Sequence, residues 1–599
     1  MFSIYRKILE ILDRRERFRF GLLLGMILVM SLLEVAGVAS IIPFLAVLSN
    51  PQAIHATPYL QVFYDSLGFQ SDRAFLLFLG GVVFGIVVFG LAFKAVTLYA
   101  LTRFSTMRNY SISTRLFGGY LSQPYVWFLS RHSADLGKTI LSEVDQVIAK
   151  SIVPALTLLA YIAVVFALAV LLFLVDPVVV AALIAVLGGS YGLIYFGIRH
   201  LLTRIGEQRV HANRERYQAA NEALGGIKDV KMLGLESAYL GRFRRPAAVF
   251  ARTQALAAIL GTIPRYILEA VAFGGMLIIV LVLLARAEGR LEDAIPVLGL
   301  FAFAGVRLFP AMTKVYENFT KLRFGGYALD ALHLELTESR PVHPLPGQRG
   351  EALSLNERLT LEDVHYFYPS ADNPALNGLN MSINALTTVG IVGGSGAGKT
   401  TAVDVILGLL WPQEGVLRVD GVVINEHNRR AWQRSIGYVP QHIFLSDDTI
   451  AANIAFGVAR KRIDMDAVKR AARLSELDRF VTEELPQGYE TMVGERGVRL
   501  SGGQRQRIGI ARALYYDPSV LVFDEATSAL DNLTERAVID AVHNLSGAKT
   551  IIMIAHRLTS VQRCDEIILL EEGEVAARGS YEELIEDSEA FQRLASAAA

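Results

Sequence analysis

Apolar residues gather into long runs over the first half of the chain and into short ones over the last 240 or so residues. Crossing a bilayer takes roughly 20 mostly apolar residues, and six stretches qualify: about 20–48, 74–99, 151–175, 177–198, 262–286 and 293–313. Ahead of them, "MFSIYRKILEILDRRERFRF" sets Ile4, Ile8, Leu9, Ile11 and Leu12 at helical spacing before Arg14, Arg15, Arg17 and Arg19. That pattern predicts an interfacial amphipathic helix feeding the first span, not a cleaved leader. The connections after spans two and four run about fifty and sixty residues, keep a helical period and are basic, so helices are expected to continue past the bilayer. Residues 49–73 hold one basic residue, Arg73, so by the positive-inside rule both termini face the cytoplasm. The loop at 286–290, with two arginines, is a mild exception. Between spans one and two, "PQAIHATPYLQVFYDSLGF" suits either an amphipathic helix on the outer membrane surface or an ordinary loop. After span six a helix is predicted to about 337, then a Pro/Gly-rich linker over 338–357. From 358 onward short β-branched runs alternate with helical ones. The fold expected is therefore an all-α six-helix transmembrane domain (1–337) followed by an α/β domain (358–599).

Composition agrees with that division. Of 599 residues 52% are hydrophobic and 19% charged, and the net charge of zero averages two unlike halves. A single cysteine, Cys564, excludes an intrachain disulfide.

The chemistry lies in the second domain. "GGSGAGKT" (393–400) follows the apolar run "TTVGIV" and precedes helix-like "TAVDVILGLL", the strand–loop–helix context of a P-loop. Gly393, Ser395, Gly396 and Gly398 bring backbone amides to phosphate, Lys399 reaches the β and γ phosphates, Thr400 ligates Mg²⁺, and Thr401 beside it is a further nucleotide-binding candidate. In "VLVFDE" (520–525), Asp524 is placed to hold the Mg²⁺ shell and Glu525 to orient or deprotonate the attacking water.

With "LSGGQ" at 500–504 added, the chain resembles ATP-binding cassette (ABC) proteins, and the α/β domain an ABC nucleotide-binding domain. The resemblance implies that Tyr368 in "HYFYPS" stacks on adenine and that Gln441 in "YVPQ" contacts Mg²⁺. It further implies that Ser501, Gly502, Gly503 and Gln504 close on ATP held by the opposite subunit, that Asp531 in "SALD" crosses that interface, and that His556 in "IAHRLTS" contacts the γ-phosphate. ATP and Mg²⁺ are the cofactors so implied. One P-loop and one signature per chain imply a dimer with two composite sites; a second copy of the chain is the expected partner, though a heterodimer stays open. Six spans before one such domain resemble a half-transporter of the type IV exporter class. "YLSQPYVWFLSRHSADLGKTILSEVDQV" (120–147) and "NEALGGIKDVKMLGLESAYL" (221–240) resemble that class's intracellular loops with short coupling helices. The six spans exclude a soluble ABC protein acting on nucleic acid.

Cargo is read from charges inside spans, each costing roughly 2.5–3.5 kcal/mol or more at a helix centre. They are Glu34, Lys94, Arg265, Glu269 and Arg307. At ~1.5 Å per residue, Arg307 falls about 20 Å below the outer end of span six, too deep to snorkel. Lys94 and Arg265 lie about 30 Å below their outer ends, where snorkelling competes with a functional role. Glu269 is spaced i,i+4 from Arg265 for an intrahelical pair, and Glu34 is either a partner for a cation or part of the cavity wall. Three cations against two anions favour a phosphate-bearing cargo. Span one, "LLEVAGVASIIPFLAVLSNP", is similar to that of PglK-type flippases, which move lipid-linked oligosaccharides across the bacterial inner membrane. That likeness implies an ATP-driven flippase in the same membrane for a polyprenyl-pyrophosphate glycan, with Lys94, Arg265, Arg307 and Glu34 at the substrate and membrane lipids around the tail. Lysine at 94, where that group uses arginine, keeps the charge and loses the fork. A multidrug or hydrophobic-compound exporter, and an ATP-gated membrane regulator, are the alternatives.

Overall fold

The computed structural model describes residues 2–175, 177–286, 291–339, 350–369, 371–494, 497–525, 540, 545–555 and 557–598; within the later membrane helices many side chains, mostly over 264–301, lie outside that description. The chain divides into two compact units, Met1–Gln123 with Trp127–Leu345, and Pro124–Val126 with Pro346–Ala599.

The first unit is helical: α1 (Phe2–Ile11), α2 (Arg14–Ala39), α3 (Ile41–Ser49), α4 (Ala53–Ala56), α5 (Pro58–Ser66), α6 (Asp72–Leu121), α7 (Tyr125–Leu129), α8 (Ser133–Lys138), α9 (Val144–Val147), α10 (Val153–Val175), α11 (Pro177–Gly225), α12 (Ile227–Met232), α13 (Glu236–Arg286) and α14 (Leu291–Glu338). The 50 residues of α6 span about 75 Å, far beyond a ~30 Å hydrocarbon core, as the periodic basic connections predict. The described residues contain four helical stretches apolar and long enough to cross a membrane: Arg14–Ser49, Asp72–Leu121, Asp135–Val175 and Glu236–Ile267. The predicted spans four and six fall on α11 and α14, each one continuous helix. α10 packs between α14 and α2, and α11 lies along α13 and α14. Leu23, Ile27 and Met30 of α2 meet Leu156 and Leu168 of α10 and Leu300 and Ala304 of α14 in one core.

Two local elements gain definite contacts. α1 packs against protein: Ile8, Ile11 and Leu12 enter that core, while Lys7 reaches Asp330 at 2.7 Å and Glu10 meets His333 at 2.8 Å on α14. The stretch after span one is helical in α4 and α5: Leu60 and Tyr64 pack with Val47, Ile54 and Phe75, while Tyr59, Val62, Phe63 and Leu67 stay exposed.

The second unit holds two sheets. β1 (Arg358–Tyr366), β2 (Leu376–Asn384), β4 (Glu414–Val419) and β5 (Val422–Val423) form an antiparallel sheet in the order β2-β1-β4-β5. β3 (Thr388–Gly393), β6 (Ile436–Val439), β7 (Val520–Asp524), β8 (Thr550–Ile554), β9 (Glu566–Glu571) and β10 (Glu574–Gly579) form the other, ordered β10-β9-β3-β8-β7-β6. It is parallel except for β10. β3, β7 and β8 are buried almost throughout, as parallel strands covered on both faces must be. The helices that matter here are α15 (Lys399–Ile406), α16 (Arg429–Gln433), α17 (Ile450–Ile454), α18 (Met465–Leu474) and α19 (Gly502–Leu514). Two residues of the predicted linker, Leu353 and Leu355, already pack on the β1–β2 core. Cys564 is buried, and burial pushes its thiol up to about 12, away from the thiolate form.

Candidate nucleotide site and membrane charge cluster

β3 ends at Gly393, and the loop to α15 turns through left-handed glycines, Gly396 at φ 81° and Gly398 at φ 94°. A Cβ on Gly398 would stand 2.6 Å from the Ala375 carbonyl oxygen, so only glycine fits there. The loop leads directly into the N-terminus of α15, where the free backbone amides and the helix dipole favour an anion. Lys399 Nζ donates to the carbonyls of Gly393 and Gly394 at 2.9 and 2.8 Å. Burial lowers its pKa, while Glu525 and Asp524 act to raise it. Tyr368 meets the Thr401 hydroxyl at 3.2 Å and lies edge-on to Tyr366, with ring centroids 5.1 Å apart.

One strand beyond β8, β7 delivers the two carboxylates. Tyr438 donates its hydroxyl to Asp524 Oδ2 at 3.1 Å. Glu525 adopts φ 47°, unusual for a residue with a Cβ, and its amide donates to the Ile554 carbonyl at 3.1 Å. Gln441 Nε2 donates to Glu525 Oε2. Parallel packing of β6 and β7 thus brings together Gln441, Asp524 and Glu525, which lie 84 residues apart at their widest. Thr400, Gln441 and Asp524 offer the hard oxygen donors that Mg²⁺ takes. Among the described residues no group of three His, Cys, Asp or Glu side chains could hold a metal by itself, so phosphate oxygens would have to complete the shell.

The signature opens α19. Ser501 Oγ accepts the Gln504 amide at 3.2 Å, and Gln504 Oε1 accepts the Ser501 amide at 2.8 Å, a capping box at an exposed helix start. The amides of Gly502 and Gly503 follow directly. Asp531 and His556 lie outside the described residues.

Two residues of this unit escape sequence reasoning. Tyr438 precedes Gln441 by three and is legible only once β6 lies beside β7. Asp404 on α15 is the other: burial, then the charge of Asp524, pushes it up to about 6 from 3.8. It carries no motif signal. Because its folded pKa is raised, its burial costs nothing below pH ~4, where both states are protonated; the cost grows as pH rises to ~6 and is complete above. Discounted for partial solvent screening it is on the order of 1–2 kcal/mol. Asp404→Asn is therefore expected to raise the thermal unfolding midpoint of the full chain at pH 7.5 and to raise it by much less near pH 4.5. An equal shift at both pH values would refute this.

In the helical unit, Glu34 of α2 sits between two cations. Lys94 Nζ of α6 donates to its Oε1 at 2.6 Å, and Arg307 Nη1 of α14 lies 3.7 Å from its Oε2. The Glu34 side chain is 6% exposed, against 23% for Lys94 and 29% for Arg307. A cavity of about 40 Å³ lies beside them, lined by Glu34, Gly37, Gly90, Phe303 and Arg307. Arg265 stands apart and exposed, 3.4 Å from Glu269 one turn on. The structure therefore joins Glu34, Lys94 and Arg307 and leaves Arg265 with its own helix, so each in-span cation has a carboxylate within reach.

Glycine-bent loop, parallel core and carboxylates at a strand end define a P-loop ATPase, here on one chain with a helical membrane unit. Family models agree: that of the ABC transporter matches residues 376–528, and that of the ABC transporter transmembrane region residues 40–303. An "ATP-dependent lipid A-core flippase" of Cupriavidus metallidurans is 31% identical over 492 residues, 81% of each chain. The "heterocyst differentiation ATP-binding protein HepA" of Nostoc sp. is 31% identical over 77% of this chain and 74% of its own. The solved structure of a bacterial Atm1-family ABC exporter with ATP bound has the same fold, with TM-score 0.77 at 24% identity over 98% of this chain and 99% of that one. The chain belongs to the ABC transporter family. It is a multi-pass half-transporter of the type IV exporter class, and an ATP-hydrolysing one.

Proposed function

We infer that the protein moves an anionic lipid across the membrane, and that its sharpest candidate is a polyprenyl-pyrophosphate-linked oligosaccharide at the bacterial inner membrane. The observation that carries this is the Lys94–Glu34–Arg307 cluster: two cations and one carboxylate leave a net positive charge among apolar helices. A phosphate-bearing headgroup neutralises it, and a neutral cargo does not. The flippases of lipid A-core among the relatives support lipid cargo in general. The exposed apolar face of α5 (Tyr59, Val62 and Phe63), with Leu67 at its C-cap, suits a lipid tail or the membrane surface.

The engine is read as a dimer of two copies, with residues 1–337 in the membrane, 338–357 linking and the ATPase at 358–599 on the cytoplasmic side. Lys399, the loop amides and Thr401 would hold the ATP phosphates, with Tyr368 against the adenine; Thr400, Gln441 and Asp524 would hold Mg²⁺, which would offset phosphate charge. Glu525 takes or orients the proton of the attacking water, with His556 at the γ-phosphate. Ser501, Gly502, Gly503 and Gln504 of one copy close on the partner's ATP, and Asp531 crosses between them.

A second reading, export of hydrophobic compounds, draws on a groove of about 240 Å³ lined by Val165, Met312, Val315, Tyr316 and Phe319. One experiment separates the two. In proteoliposomes, Arg307→Ala with Lys94→Ala is expected to cut flipping of a polyprenyl-pyrophosphate glycan at least tenfold while basal ATPase stays within about twofold. Unchanged flipping, or stimulation by uncharged drugs alone, would select the second reading.

A further inference from the structure

Glu34 does more in this geometry than neutralise a buried charge. Its carboxylate is the most enclosed member of the cluster, and the cations on either side are four to five times more exposed. It also bridges two helices: one oxygen accepts a hydrogen bond from Lys94 of α6 at 2.6 Å, and the other faces Arg307 of α14 at 3.7 Å. The two contacts are unequal, and the longer one leaves Arg307 as the arm more easily given to another anion. The adjoining cavity, about 40 Å³, admits a water or two. That volume is smaller than a pyrophosphate. Glu34 thus occupies the place a headgroup would take, with the same chemistry: oxygen acceptors bridging an ammonium and a guanidinium.

We propose that Glu34 is a built-in competitor of the anionic headgroup: the substrate displaces it from Arg307 and Lys94, and its return to them releases the substrate. This rests on the anionic-lipid reading above. The consequences follow from charge alone. With Glu34 in place the cluster offers one net positive charge; once it is removed the cluster offers two. Glu34 therefore weakens the binding of every anionic headgroup, that of a doubly charged one most, and supplies the anion that refills the site on release. Loss of its charge tightens binding and slows turnover together, a split that a packing role would not produce.

The test uses the full-length protein in proteoliposomes, with undecaprenyl pyrophosphate and undecaprenyl monophosphate as probes and ATPase stimulation and lipid flux as readouts. For Glu34→Gln the half-stimulating concentration of the pyrophosphate is expected to fall at least tenfold, that of the monophosphate by less, and maximal flux to drop at least threefold. Glu34→Asp keeps the charge but is too short to bridge both cations, so its half-stimulating concentration should fall at least threefold; it serves if the glutamine variant does not fold. Unchanged or higher values in the variants that fold, with Arg307→Gln abolishing the response, overturn the Glu34 proposal and leave the anionic-lipid reading standing. A wild-type response that Arg307→Gln does not alter sinks that reading instead. Inorganic pyrophosphate is the remaining arm: stimulation equal to the lipid's assigns the site to a free anion and overturns displacement by a lipid.

Discussion

Glu525→Gln is expected to lower ATP hydrolysis by about 10²–10⁴-fold, the range lost when a positioned acid–base group is removed, while ATP still binds. The side chain sits at the end of β7 on a residue held at φ 47°, a backbone position costing roughly 1–3 kcal/mol that the surrounding structure must impose. The imposition is visible: the Glu525 amide is tied to Ile554 on the neighbouring strand, and the carboxylate accepts a hydrogen bond from the Gln441 amide. A glutamine keeps this shape and loses the ability to accept a proton. Phosphate release and retention of radiolabelled ATP, measured on one preparation, check the result. Equal loss of binding and hydrolysis would mean that Glu525 shapes the nucleotide pocket and does not act on the water.

The largest stability effect is expected at Glu16. Its carboxylate pairs with Arg108 of α6, accepts the Ser111 hydroxyl at 2.7 Å, and accepts the Asp13 amide at 3.0 Å. The side chains of Glu16 and Arg108 are only 10% and 5% exposed, with the Arg108 guanidinium over the Phe104 ring at 4.7 Å. Glu16→Ala strands a buried guanidinium and should cost about 3–5 kcal/mol. The exposed Arg6–Glu10 pair nearby offers the contrast, being of the surface kind that contributes little. Replacing both buried partners, Glu16→Leu with Arg108→Met, should restore most of the loss, because the penalty comes from the unpaired charge. Thermal unfolding of the detergent-solubilised protein decides it. A double variant as unstable as the single one would show that the pair is needed for packing.

Much of the engine was legible because its chemistry is local. The phosphate loop requires glycines where the backbone turns left-handed and approaches Ala375, and a run of eight residues carries that requirement whatever surrounds it. The same holds for the cap formed by Ser501 and Gln504, three residues apart. Long apolar runs announced membrane helices because hydrocarbon admits few other solutions. The boundary was less legible: Leu353 and Leu355 sit among proline, glycine and charge, yet they pack on a sheet whose face cannot be seen from the linker's composition.

By itself the sequence determined the class of the protein: an ATPase with its phosphate loop, strand-end carboxylates and signature in order, joined to apolar spans that continue as long helices. Only the tertiary structure decided the partners. Glu34 and Arg307 are 273 residues apart in sequence and 3.7 Å apart in space, and Tyr438 meets Asp524 only because β6 pairs with β7. The physical reason is range. Glycine geometry, helix caps and hydropathy act within a few residues, so they are written where they are used. A charge in an apolar surrounding interacts with whichever helix packing brings beside it, and for Arg307 that is the helix carrying Glu34.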